Sequence, residues 1–132
     1  MALVTPIELV AIAKLVVANN VWSYAYSNGF ETGSPEGATA GSAAIVDNGA
    51  GDLTLYTDEA VAEPYVMVTI TSTTATPPVG LPTVETQPTQ AGAYAGCDPM
   101  KAFRVRTYSD AGVAGDAEYT ISIYRNPVTV IP

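Results

Sequence analysis

The sequence predicts a mainly β fold, an antiparallel β-sandwich or jelly-roll-like barrel, with a short N-terminal helix. Three features point there. Apolar and polar residues alternate with period two in several short runs. Gly, Asn and Asp gather between those runs, where chain reversals need positive φ. The composition is rich in Val, Thr, Tyr and Ile, with 11 Gly and 10 Pro spread along the chain. At 132 residues the chain can bury one core without cross-links. The expected division is an apolar anchor over 1–20 and a β domain over 21–132.

The helix is expected from "TPIE", which places Thr5 at N-cap, Pro6 at N1 and Glu8 at N3 of a capping box. "LVAIAKLVVA" follows, and Asn19-Asn20 would stop it, since Asn tolerates the left-handed conformation. Only Glu8 and Lys14 are charged there, so such a helix needs cover on most faces. That cover is either the chain's own core or a partner subunit; the second makes Ile7, Val10, Ile12, Leu15 and Val16 interface candidates.

From Val21 the period is two. "VWSYAYSNGF" sets Trp22, Tyr24 and Tyr26 on one strand face, as core, subunit seam or ligand platform. A polar loop over 31–42 follows. "IVDNGAGDLTLYTD" then offers two readings, a hairpin and a cation loop. Asn-Gly favours the hairpin, and no Glu closes a graded run of Asp and Asn as a calcium loop requires. "YVMVTITST" alternates Tyr65, Met67 and Thr69 with Val66, Val68 and Ile70, a half-buried strand. The stretch over 73–100 holds five prolines and reads as one long loop. It is a surface excursion or an arm that embraces a neighbour, with Pro77, Pro78, Leu81, Pro82 and Tyr94 as candidate contacts. "KAFRVRTYS" and "AEYTISIYR", joined by "DAGVAGD", form a second hairpin, and "NPVTVIP" would lie along an edge.

Composition narrows the function. Thirteen acids against five bases give a net charge of −8, which opposes binding to nucleic acid or anionic lipid. Pro6, Glu8 and Lys14 interrupt the first apolar run, so it suits neither a signal core nor a spanning helix. There is no histidine, and the lone Cys97 lacks the usual activating partner. Acid pairs such as Asp58-Glu59 and Asp116-Glu118 sit in turns, where solvation accounts for them. No catalytic residue, cofactor or metal is expected.

The order of "VWSYAYSNGF", "IVDNGAGDLTLYT", "PYVMVTITST" and "FRVRTYSDAGVAGDAEYTISIYR" resembles a small β-sandwich module of bacteriophage virion proteins, found at tail-fibre ends and on capsid surfaces. The likeness runs from Val21 to Arg125 and rests on the "DNG-x-GD" hairpin, an aromatic before a valine run, and an Arg-Val strand closing on an alternating one. It implies a structural role, often as a homotrimer. The chain carries no shaft sequence, and its proline-rich stretch is longer than the module's. Both departures favour a head decoration or cement protein on the outer capsid surface, bound to itself and to the major capsid protein or other virion proteins. The alternative is a tail-fibre or head-fibre module that binds a host surface glycan.

Overall fold

A computed structural model of the chain describes residues 3–4, 7–73, 80–87, 94–125 and 129–130. The strands are β1 (Leu3–Val4), β2 (Glu8–Ala18), β3 (Val21–Asn28), β4 (Ile45–Gly49), β5 (Asp52–Tyr56), β6 (Tyr65–Thr73), β7 (Leu81–Thr86), β8 (Ala102–Tyr108), β9 (Ala117–Arg125) and β10 (Thr129–Val130). They build two four-stranded antiparallel sheets, ordered β3-β2-β9-β6 and β4-β5-β8-β7, and β1 pairs with β10. The fold is mainly β, in keeping with a sandwich. Its core comes from the middle strands of both sheets: Ala11, Ala13 and Leu15 of β2, Leu53 and Leu55 of β5, Phe103 and Val105 of β8, and Tyr119, Ile121 and Ile123 of β9.

The expected N-terminal helix does not form; residues 8–18 are strand β2, hydrogen-bonded to β3 on one side and β9 on the other. Two physical reasons favour the strand. Val10, Ile12, Val16 and Val17 are β-branched and lose rotamer freedom in a helix. A helix would also present apolar side chains all round, whereas the strand sorts them, with Ala11, Ala13 and Leu15 inward and Ile12, Lys14 and Val16 outward. Asn19 and Asn20 are not a helix stop. They are the two-residue loop between β2 and β3, with φ of 51° and 62° as a type I′ turn needs. The same tolerance of positive φ serves both structures, which is why the signal misled. Thr5 and Pro6 lie outside the described residues. Among those residues the one helical element is a 3-10 turn, Pro99–Lys101, capped by Asp98, whose carboxylate accepts the Met100 N–H at 2.9 Å.

The stretch over 73–100 is not one loop. It contains β7, an edge strand in which Pro82 is tolerated because an edge leaves alternate N–H groups without ladder partners. The other expected strands are present, and one has a change of phase. Lys14 pairs with Tyr26 and Leu15 with Tyr24, so Ala25 is an extra, bulged residue in β3. The bulge turns Tyr26 outward, away from the side that Trp22 and Tyr24 share.

Two tyrosine hydroxyls, on Tyr24 and Tyr119, are buried without a hydrogen-bond partner among the described residues. Burial pushes both well above the ordinary tyrosine range, so they stay protonated. An unpartnered buried hydroxyl costs about 1–3 kcal/mol. Tyr119→Phe should therefore raise stability by about 1 kcal/mol, read as a higher urea midpoint at unchanged slope.

Candidate functional site

The alternation that sends Ala11, Ala13 and Leu15 inward fixes what the β3-β2-β9-β6 sheet shows on its other face. Opposite residues in antiparallel strands share a face, so the register lays out rows. Leu9, Tyr124 and Tyr65 form one, Ile12, Ser122 and Met67 the next, and Lys14, Thr120 and Thr69 the third, with Tyr26 beside Lys14. Met67 is 59% exposed and Tyr65 50%, with Leu9 and Tyr26 similar. Among the described residues of this face only Lys14 and Glu118 are charged, and the Glu118 carboxylate accepts the Val17 N–H at 2.9 Å. The result is a sheet face with one positive and one negative residue, apolar around Leu9, Tyr124, Tyr65, Ile12 and Met67 and hydroxyl-rich along Ser122, Thr120 and Thr69, on a strongly acidic chain.

The interface candidates read from the sequence are only partly brought together there. Ile12, Val16 and Tyr26 lie on this face, and the exposed Ile7 precedes β2. Val10 sits at a bulge, where Leu9 pairs with Tyr124 and Ala11 with Ile123. Leu15 is wholly buried in the core and is not presented to a partner. Trp22 and Tyr24 pack inward, against Tyr119 at 6.5 Å and Phe30 at 5.8 Å between ring centres. Leu81 is exposed and Pro82 half-buried in β7. Tyr94 is anchored to the domain: it stacks on Tyr56 at 5.7 Å, and its hydroxyl donates to the Ala43 carbonyl at 2.8 Å. Pro77 and Pro78 lie outside the described residues. Leu9, Tyr65, Met67 and Tyr124 complete the face and are not among the sequence candidates. The alternation of "YVMVTITST" marked Tyr65 and Met67 as sharing a face, but not that β9 would bring them level with β2.

Many of the charged groups elsewhere among the described residues are engaged in contacts within the fold. "IVDNGAGDLTLYTD" is the β4–β5 hairpin, and its two-residue loop is Ala50-Gly51, not Asn48-Gly49. Asn48 instead stays in the strand and donates to Asp52 at 3.2 Å and to Thr54 at 2.9 Å. Asp52 accepts two bonds from Arg104, at 2.9 and 2.7 Å, a bidentate clamp between β5 and β8. Asp47 accepts the Gly49 N–H at 3.0 Å. Lys101 pairs with Glu36, Arg106 with Glu85, and Arg125 with Glu8 and Glu59. Asp116 accepts the Gly51 N–H at 2.8 Å. Burial raises the Cys97 thiol above its ordinary range, with Glu31 adding to the effect, which opposes a nucleophilic thiolate.

Asp52 gives a pH prediction. The hydrogen bond from Arg104 is the largest influence, and it holds the carboxyl below the ordinary carboxylate range. The folded value lies below the unfolded one, so the contribution is complete above the unfolded value of about 3.9 and is lost as pH falls through the folded one. The stability gap between wild type and Asp52→Asn should be open at pH 6 and close as the pH drops below about 4. Urea midpoints measured across that range check it.

A cleft of about 530 Å³ lies beside β3, lined by Trp22, Tyr24, Tyr26, Ser27, Thr32 and Ala43 among others. Among the described residues no helix is long and apolar enough to cross a membrane. Compared with known proteins, the chain matches no protein-family model, no curated protein and no solved structure.

Proposed function

We propose that this protein is a structural, non-catalytic β-sandwich that works by assembly, joining copies of itself and seating on a larger protein surface. The observation that carries the reading is the outer face of the β3-β2-β9-β6 sheet, where Leu9, Tyr26, Tyr65 and Met67 are exposed around Ile12 and Tyr124. Exposed apolar residues scattered singly need no explanation, but residues aligned on one sheet face make a contact surface. In a chain of net charge −8, like copies repel, and a face with few carboxylates is where they can meet. The resemblance in the sequence gives this reading its specific form: a phage head decoration or cement protein, trimeric, on the outer capsid and in contact with the major capsid protein.

Burial at about 25 cal/mol per Å² would drive such assembly, so it should depend weakly on salt. Light scattering should give an oligomer for the full chain. Mixing with capsid shells should give occupancy visible by electron microscopy. Leu9→Asp with Tyr26→Asp, both on exposed side chains, should abolish shell binding while the circular dichroism stays that of the wild type. A monomer that binds no shell, or assembly that falls apart in moderate salt, would sink the reading.

A fibre module that binds glycans is the second reading, favoured by the aromatic and hydroxyl groups around the cleft beside β3. The inward packing of Trp22 and Tyr24 counts against an open aromatic platform. Saturable, selective binding on a glycan array, lost in Tyr26→Ala, would decide for it.

A further inference from the structure

We propose that β6 is the joining edge between copies: β6 of a second copy pairs with it antiparallel about a two-fold axis, making one continuous sheet from two β3-β2-β9-β6 sheets. This rests on the reading that the chain self-assembles, and it names the contact.

The two four-stranded sheets have four edges, β3, β6, β4 and β7. A sheet edge offers unpaired N–H and C=O groups, and proteins that stay apart block them with short strands, charges, prolines or bulges. β4 is five residues long and carries Asp47. β7 carries Pro82 and Glu85. β3 is broken in mid-strand by the bulge at Ala25. β6 has nine residues with no charge and no proline, and its one irregularity against β9 falls late, between Ile70 and Ser72. Among the described residues, the stretch from Tyr65 to Ile70 is therefore a regular edge with no charge, proline or bulge.

Among the described residues, the side of the sandwich that β6 shares with β7 is also incompletely closed. A groove of about 460 Å³ runs between these strands, lined by Val66, Met67, Val68, Thr69, Pro82 and Val84. Val66, Val68 and Val84 touch the core yet stay partly exposed. A second copy against this side completes their burial.

Charge and pattern point to a second copy as the occupant. Between copies of net charge −8, a contact strip without carboxylates adds no local repulsion, and β6 has none. The strand also matches itself. Antiparallel pairing centred on Val68 sets Val66 opposite Ile70 on the inward face and Met67 opposite Thr69 on the outward face. Such a contact uses the same patch twice, so it adds to any three-fold contact without replacing it.

The test uses the full chain and Met67→Lys with Thr69→Lys, both exposed positions, which put like charges across the two-fold axis. Light scattering should show the wild-type assembly mass halved in the variant, with the dissociation constant of the contact raised at least tenfold. Hydrogen exchange on the wild type gives a readout that needs no variant to fold: amides of 65–70 should slow as protein concentration rises, and by more than those of the other outer strand, β3. An oligomer whose mass survives the double substitution, with β6 exchange independent of concentration, overturns the edge contact and leaves self-assembly standing. A monomer at every concentration overturns both.

Discussion

Deleting residues 1–19 is expected to leave no folded domain. If the N-terminal segment were a helical anchor, the truncated chain would keep its β structure and lose only its partners. β2 instead lies inside a sheet, with ladders to both β3 and β9. It supplies Ala11, Ala13 and Leu15, each no more than 1% exposed, to the layer between the sheets. Removing it uncovers Ile121, Ile123 and Tyr119 across their shared core and strands β3 without a neighbour. Leu15→Ala alone should cost about 2–5 kcal/mol. The loss of the whole strand exceeds the roughly 5–15 kcal/mol that holds a typical domain. Circular dichroism and amide proton dispersion should both be those of an unfolded chain. A truncated protein with native dispersion would show that the other sheet and β9 fold without β2.

The parts of the fold legible in the sequence were those where one local rule acted alone. "YVMVTITST" and "AEYTISIYR" read as strands because alternation with half-burial has no helical equivalent, and they are β6 and β9. "LVAIAKLVVA" obeyed two rules at once: a capping box preceded it and positive-φ residues followed it, as for a helix, yet its β-branched residues suit a strand. The choice was made by β9, more than a hundred positions away, which supplies the ladder and the facing side chains. β7 was hidden for the converse reason, since Pro82 speaks against a strand everywhere except at an edge. The candidate surface was half legible. The sequence marks Ile12, Val16 and Tyr26, but as a helix stripe and part of an aromatic row. Strand order makes them one face with Tyr65 and Met67, and strand order is not written in local periodicity.

Gly51→Ala is expected to destabilise the protein by about 2–5 kcal/mol, from a strained backbone and an overpacked site together. Gly51 has φ of 64°, a region that costs a residue with a Cβ. It is also buried where the β4–β5 turn meets the β8–β9 connection. A Cβ there would collide with the carbonyl oxygens of Gly115 and Thr107, backbone atoms that cannot swing aside as a side chain would. Relief would require the turn to move, and the turn is tied on three sides. The Gly51 N–H donates to Asp116 at 2.8 Å, its carbonyl accepts the Thr107 N–H at 2.8 Å, and the next residue, Asp52, holds Arg104 at 2.7 Å. Shifting Gly51 therefore disturbs a hydrogen bond to each neighbour and loosens the β5–β8 clamp. Gly33→Ala is the control, since a Cβ there meets nothing within 4 Å, and its effect should stay within about 0.5 kcal/mol. Equal urea midpoints for the two variants would mean that the turn slides freely. A large loss confined to Gly51→Ala would place the "DNGAGD" signature among the residues that hold the two hairpins together, with Asp52 held by an arginine of the fold.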